Sequence, residues 1–468
     1  MSGRLDATAT EPALARRLGP WDATAIVVSN VVGGGIFFVP VIVAGLVPDP
    51  RLALLVWLLG GLLALAGAMA YAELAALRPR AGAEYVYLRE AFGPLPAFLT
   101  GWTSFVAGFS GAVAASAVAL TEYLGRFVPA AADVRAIVSV PLPLGSLVVS
   151  RQALVALAVI AGLSWVHHRG LGPGRLLQNT LAILKVLGLA AFVALGLGIG
   201  AAPAAGTAVA GTTTAASFLL ALVPVMFTYS GWNAAAYVAE EVRDPSRNVP
   251  RALAIGTAAV IVIYLGLNAL YMKALPGAEL ARLEGGLADA AAERLFSIDL
   301  AGAVAAFSVV SIAASISAMV LAGPRVYLAM ARDGLFFASA SRVHPRFRTP
   351  AVAIWMQAGW SGVLVLSGSL GQLVRYTGFA VVLFAGIAVL GLFVLRRRLP
   401  REERPFRAWG YPLAPGLFVA AALLMVLNVL WREPGTSLPG LGIILAGVPL
   451  YFLVLHRRRA AFSEGGRE

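Results

Sequence analysis

The sequence predicts an all-α integral membrane protein of twelve transmembrane helices. Three observations carry that prediction. The 468 residues are 59% hydrophobic and only 13% charged, where a soluble domain holds about 25% charged residues. Apolar stretches of about 20 residues, the length that crosses a bilayer, recur along the chain. Two of them are interrupted by poor helix formers, Gly33-Gly34-Gly35 within residues 21–47 and Ser230-Gly231 within residues 215–242. Glycine loses the most backbone entropy on ordering. In lipid, a broken helix frees N–H and C=O groups that must be met inside the protein or in a water-filled cavity. Discontinuous helices of this kind hold the substrate in many secondary transporters, so the two breaks are read as facing one substrate.

In chain order the predicted spans are 22–46, 52–77, 95–125, 150–168, 176–199, 214–242, 251–274, 301–331, 350–369, 372–395, 411–431 and 437–456. The stretch 128–149 reads as a Pro-rich loop, and 275–300 as an Ala-rich connection with room for a short helix. A broken span opens each of two groups of five, the arrangement of an inverted repeat. The expected organisation is a tail at 1–20, five-span repeats at 21–200 and 214–398, two peripheral spans at 410–456, and a tail at 457–468. Residues 1–20 show no apolar core followed by a cleavage site, so no removable signal peptide is expected.

Charge placement gives the expected orientation. Of 36 Lys and Arg, 26 fall on the side carrying both termini, 9 on the other, and Lys185 lies within a span. By the positive-inside rule both termini are cytoplasmic in a cell (inner) membrane. The same asymmetry accounts for most of the +13 net charge, which removes the case for nucleic acid. Without cysteine there is no disulfide, thiolate metal site or cysteine nucleophile. No nucleophile-and-base pair or phosphate loop is evident. Gly33-x-Gly35 lacks a third glycine at Phe38 and follows no strand, so it is not a dinucleotide motif. No enzyme, cofactor or metal is expected.

Gly33, Gly34 and Gly35 could receive a carboxylate on free N–H groups, helped by the positive end of the following half-helix. Alone, the triplet favours close helix packing; Pro40 and the second break turn the reading toward a site. Ser230 and Gly231 would offer carbonyls to an ammonium. Asn233 donates and accepts without charge, which favours neutral side chains. Lys185 is costly mid-span and marks function; snorkelling to the interface is hard about ten residues into its span. Glu73, Glu240 and Glu241 are read as partners for Arg78, Arg243 or Arg325, and His167 and His168 as a solvated pair.

Five stretches resemble the amino acid–polyamine–organocation permeases, closest to their L-amino acid transporter branch. They are Val31-Val32-Gly33-Gly34-Gly35-Ile36-Phe37-Phe38-Val39-Pro40, the loop Pro79 to Leu88, Phe227 to Asn233 with its continuation Glu240 to Arg251, Arg332-Asp333-Gly334-Leu335, and Arg404-Pro405-Phe406-Arg407. The resemblance implies a ten-span core plus two peripheral helices and amino acid transport without ATP. It implies a substrate site at Asn30, Val32, Gly33, Gly34, Gly35, Ile36, Phe227, Ser230, Gly231 and Asn233, with Phe227 as an aromatic cover. It also implies that Lys185 is the coupling residue. The lysine would reach carbonyls near Val32 and Gly33 and a hydroxyl at Ser311 or Ser315, where sodium-coupled relatives hold a metal. Two departures stand out: Gly34 replaces the usual serine, and Ser230 replaces the first glycine of a Gly-Gly break.

The expected function is sodium-independent transport of neutral amino acids, by proton symport or by exchange. The alternatives are transport of a polyamine or cationic amino acid, and a non-transporting amino acid receptor. Expected partners are the amino acid and the lipid bilayer, without a disulfide-linked heavy chain, the protein being a monomer or homo-oligomer.

Overall fold

In a computed structural model, the structure describes residues 13–142, 145–200, 212–275, 277–283, 286–296, 301–367, 370–432 and 434–464. Most of the predicted N-terminal tail and residues 465–468 lie outside that set. Helix α1 (Pro20–Val31) starts on proline, whose fixed φ and missing N–H suit a first helical position, and Asp22 Oδ2 accepts from Gly19 N at 2.6 Å. It stops where the glycines begin, and α2 (Val39–Leu46) resumes after a tight 3₁₀ turn at Gly34–Phe37. Asp49 caps α3 (Pro50–Leu77) by accepting from the N–H groups of Arg51 and Leu52.

Helix α4 (Glu84–Phe92) lies in the connection after α3. It leads into α5 (Pro94–Thr103) and α6 (Phe109–Leu124), joined without interruption by one π turn at Ser104–Gly108. The predicted Pro-rich loop instead holds an antiparallel hairpin, β1 (Ala136–Leu142) with β2 (Gly145–Ser150). Its Val and Ile content suits a pleated strand, and Pro141, which cannot donate to a ladder, is tolerated on an edge strand. Then come α7 (Arg151–His168), α8 (Leu171–Gly198), α9 (Ala215–Thr228) and the short α10 (Ala234–Tyr237). Helix α11 (Pro245–Ala274) precedes α12 (Ala278–Ala281) and α13 (Leu287–Phe296), which occupy the Ala-rich connection. The remainder is α14 (Ala301–Arg332), α15 (Ala351–Leu366), α16 (Leu370–Arg398), α17 (Leu413–Arg432) and α18 (Pro434–Glu464).

Among the described residues, eight helical segments are long and apolar enough to cross a membrane: α3, Pro94–Leu124, α8, α11, Gly302–Arg332, Ala380–Arg398, α17 and Ser437–Val454. Helices α9 and α15 are shorter apolar helices. The interrupted helix α1–α2 is wrapped by α11, α8, α14 and α9, and α11 packs along α3. Small residues allow the close approach. A Cβ on Gly60 of α3 would lie 2.5 Å from Val225 of α9, and one on Gly256 of α11 would lie 2.7 Å from Val27 of α1.

Below the breaks, the chain before α1 is stitched to the segment after α10. Leu18 bridges Val242, the N–H groups of Arg17 and Leu18 donate to Glu241 O, and Arg243 N donates to Leu18 O, all at 2.9 Å. Beside this seam Arg325, 1% exposed, forks onto Glu241, 0% exposed, at 2.7 and 2.9 Å. A bidentate geometry of this kind compensates for burying both charges. Arg325 is therefore the partner of Glu241, as predicted. The other two acids pair differently. Glu73 meets Arg396 and Arg404, and Glu240 meets Arg332. Arg78 instead clamps Glu90 and Glu402, and its hydrogen bonds hold the Glu402 carboxyl below the usual carboxylate range.

Candidate functional site

The two breaks face each other across a cavity of about 270 Å³. On one wall the N–H groups of Gly33 and Gly34 meet no acceptor among the described residues, and Gly34 is exposed to the cavity. On the other wall α9 ends at Thr228 and the chain turns through Gly231 at φ +99°. Only glycine adopts that conformation without strain. It also needs the room, since a Cβ would lie 2.6 Å from Asn30 Nδ2.

Asn30 ties the walls together. Its Nδ2 donates to Gly231 O at 3.2 Å, and Ala234 N donates to the same oxygen at 3.1 Å. The expectation of two carbonyls open to an ammonium is therefore corrected: the protein itself occupies both lone pairs of Gly231 O. Ser230 O and Oγ meet no donor among the described residues. From behind, the Tyr264 hydroxyl of α11 lies 3.0 Å from Val31 O and 3.2 Å from Thr228 O, so one donor serves both breaks. Gly231→Ala is expected to destabilise the protein by about 1–3 kcal/mol, read as a lower melting temperature in detergent. A Gly231→Ala protein as stable as wild type would contradict this account of the turn.

Lys185 sits behind the first break, 0% exposed. Its Nζ donates to Val32 O at 2.5 Å, Ser315 Oγ at 2.9 Å and Ser29 O at 3.1 Å. Three donors thus meet three acceptors. Of the expected pairs, Val32 and Ser315 are the ones engaged, and Ser29 stands in for Gly33. Ser315 Oγ is itself within 3.1 Å of both carbonyls, so α14 closes the cage. Val32 and Ile36 do not line the cavity. Both side chains are packed in the core, and Val32 contributes only its carbonyl, on the Lys185 side. Asn30, Gly33, Gly34, Gly35, Phe227, Ser230, Gly231 and Asn233 all line it.

The floor of the cavity holds a carboxylate the sequence did not point to. Glu84 Oε1 accepts from Tyr71 OH at 2.7 Å and from Asn233 Nδ2 at 2.6 Å, and Asn233 Nδ2 also reaches Tyr237 OH at 3.2 Å. No described Lys or Arg pairs with Glu84. It arrives there because Gly82 (φ +104°) and Ala83 (φ +39°) turn the chain back into the bundle. A Cβ on Gly82 would lie 2.7 Å from Ala329. The π turn contributes Ser104 and Gly108 to the same cavity. Such turns cluster at functional sites, and here the backbone carbonyls are met by Tyr327 OH at Ser104 O and Trp360 Nε1 at Val106 O.

His167 is not solvated as expected: it is buried and hydrogen-bonds Ser317 Oγ at 2.8 Å, while His168 packs on His344 and Phe347. A larger cavity of about 1020 Å³ opens among Arg16, Arg78, Arg89, Glu240 and Arg332. It contains no residue of either break, and most of its charges are already paired.

Over 449 residues the chain is 29% identical to the serine/threonine exchanger SteT of Bacillus subtilis, covering 95% of this chain and 98% of the relative. It is 30% identical over 477 residues to the Asc-type amino acid transporter 1 of Mus musculus (97% and 86% covered). It is 28% identical over 453 residues to the large neutral amino acids transporter small subunit 2 of Homo sapiens (94% and 81% covered). A family model described as amino acid permease matches residues 18–454, and a chain matched over that length, with two broken apolar helices facing one cavity, belongs to the amino acid permease family.

Proposed function

We propose that this multi-pass membrane protein is a secondary transporter of neutral amino acids that works without sodium, by exchange or proton symport. The observation that carries the reading is the pairing across one cavity of the unpartnered Gly33 and Gly34 N–H groups with the open Ser230 carbonyl. A zwitterion needs both. The substrate carboxylate would sit on the glycine N–H groups and the ammonium toward Ser230, with Phe227 above and Asn233 below. Relatives named as an exchanger and as amino acid transporters support the substrate class. The proposed architecture is twelve spans, with repeats at 21–200 and 214–398, in the cell membrane with both termini cytoplasmic. One relative is named as a small subunit; with no cysteine in this sequence, a large subunit would have to bind without a disulfide.

A second reading, cationic amino acids, is favoured by Glu84, a cavity carboxylate with no described cation. It ranks lower because Oε1 already accepts two neutral donors. The test is uptake of a labelled amino acid into proteoliposomes, competed by an unlabelled panel, with and without a pH gradient, sodium and internal substrate. Competition by neutral amino acids with no effect of sodium is expected. Competition by lysine or arginine alone would favour the second reading, and binding without uptake would make the protein a receptor.

The departures at Gly34 and Ser230 give a further prediction. A Cβ on Gly34 meets nothing within 4 Å, and Ser230 lines the same cavity. Gly34→Ser and Ser230→Gly would each reshape one pocket from opposite sides, so their effects on KM should be non-additive by about 0.5 kcal/mol or more. Simple additivity in the double mutant would count against a shared pocket.

A further inference from the structure

This inference rests on the proposed transport reading and adds the side-chain class the pocket selects. The argument turns on which way the Asn233 amide points. Its nitrogen lies 2.6 Å from Glu84 Oε1 and 3.2 Å from Tyr237 OH. Glu84 Oε1 already accepts from Tyr71 OH at 2.7 Å, so it faces Asn233 as an acceptor. A reversed amide would set oxygen against oxygen at 2.6 Å, so Glu84 holds the nitrogen end inward. Both amide hydrogens are then engaged. Asn233 Oδ1 meets no donor among the described residues, and it is not one of the sealed, unpartnered oxygens of the core. Asn233 lines the cavity, so the group it offers there is an acceptor.

The arrangement behind Asn233 is fixed from several sides. Tyr71 OH donates to the same Glu84 oxygen at 2.7 Å, and Tyr71 is itself held edge-on by Trp232 and Tyr87. The Gly82–Ala83 turn anchors Glu84 from below. We propose that Glu84 is a positioning residue that turns Asn233 oxygen-first into the cavity. The pocket thereby selects amino acids whose side chain carries a neutral hydrogen-bond donor, a hydroxyl or an amide, over apolar side chains of the same shape. An apolar isostere would leave Oδ1 desolvated and unpaired, which is how a polar site rejects an analogue lacking its donor.

Threonine and valine are the natural pair for the test, nearly identical in shape and differing by a hydroxyl. In proteoliposomes, wild-type protein should take threonine with a KM about tenfold or more below that for valine. In Glu84→Gln the residue at 84 can donate or accept, Asn233 is free to turn, and the ratio should fall to within about threefold. The exchanged pair Glu84→Gln with Asn233→Asp restores an inward donor to an acceptor that still shows oxygen to the cavity, so the preference for threonine should return. A merely structural role for Glu84 would change the amount of folded protein or the maximal rate and leave the ratio alone. Equal KM values for threonine and valine in wild type, which needs no variant to fold, would overturn the proposal. So would an unchanged ratio in folded Glu84→Gln, or an exchanged pair that stays level. Absence of any amino acid uptake by wild type would instead overturn the transport reading beneath it.

Discussion

Replacing Lys185 with alanine is expected to leave a folded protein that has lost about 100-fold of its uptake, a loss typical of misplacing a site by about 1 Å. The ammonium closes a cage made by Ser29 O and Val32 O of the first break and Ser315 Oγ of α14. Without it the two carbonyls share only the single Ser315 hydroxyl just where α1 must stop short of the glycines, and the Gly33 and Gly34 N–H groups are no longer aimed. The fold should survive because removing the charge also removes the cost of burying it. The same geometry predicts that wild-type uptake is unchanged when sodium is replaced by choline, since a cation already takes up the acceptors of the cage. Folding is checked by monodispersity on size exclusion and the rate by initial uptake into proteoliposomes. Sodium-dependent uptake, or an unimpaired Lys185→Ala protein, would remove Lys185 from the coupling machinery.

Lys185 was legible in the sequence because a lone cation inside an apolar span has few innocent explanations. The two breaks were legible for a similar reason: Gly33-Gly34-Gly35 and Ser230-Gly231 interrupt hydrophobic runs otherwise long enough to cross. What remained hidden depended on chain reversal and on partner choice. Glu84 lies in a charged connection between spans and reads as interfacial. Only the positive φ at Gly82 and Ala83 returns it beneath Asn233. Gly82 was the available signal, and in sequence it is indistinguishable from an ordinary loop glycine. The π turn at Ser104–Gly108 carries no Pro to mark it in the sequence, and the Tyr327 and Trp360 contacts that meet its carbonyls come from distant helices. Partners of Glu73 and Glu240 were misassigned because sequence spacing identifies neighbours on one helix, whereas the buried Glu73 reaches across to Arg396 and Arg404 and Glu240 to Arg332. Val32 and Ile36 belong to a recognisable motif, yet at a helix break the backbone faces the cavity and these side chains face the core.

Phe227→Ala is expected to raise KM and lower the maximal rate together, for a combined loss of about tenfold to 100-fold, with little change in stability. The two halves of that statement have separate causes. Phe227 lies one turn before the second break and lines the cavity, 36% exposed. Truncating a fully buried phenylalanine costs about 3–5 kcal/mol, but a ring already this exposed has less burial to lose. Among the described aromatic contacts it has no ring partner, whereas Tyr229, two residues on, is packed against Trp57 and Tyr264. The fold at this point therefore rests on Tyr229, and the ring of Phe227 is left free to cover whatever occupies the space between Gly34 and Ser230. Covering matters because excluding water strengthens every hydrogen bond the glycine N–H groups and the Ser230 carbonyl make to a zwitterion. Phe227→Tyr or Phe227→Trp, which keep an aromatic face, should retain more uptake than Phe227→Ala or Phe227→Leu. The check is KM and maximal uptake for the four variants in proteoliposomes, beside their melting temperatures in detergent. Uptake of Phe227→Ala equal to wild type would take Phe227 out of the site, and a drop in melting temperature that tracks the lost activity across all four would make its role one of packing.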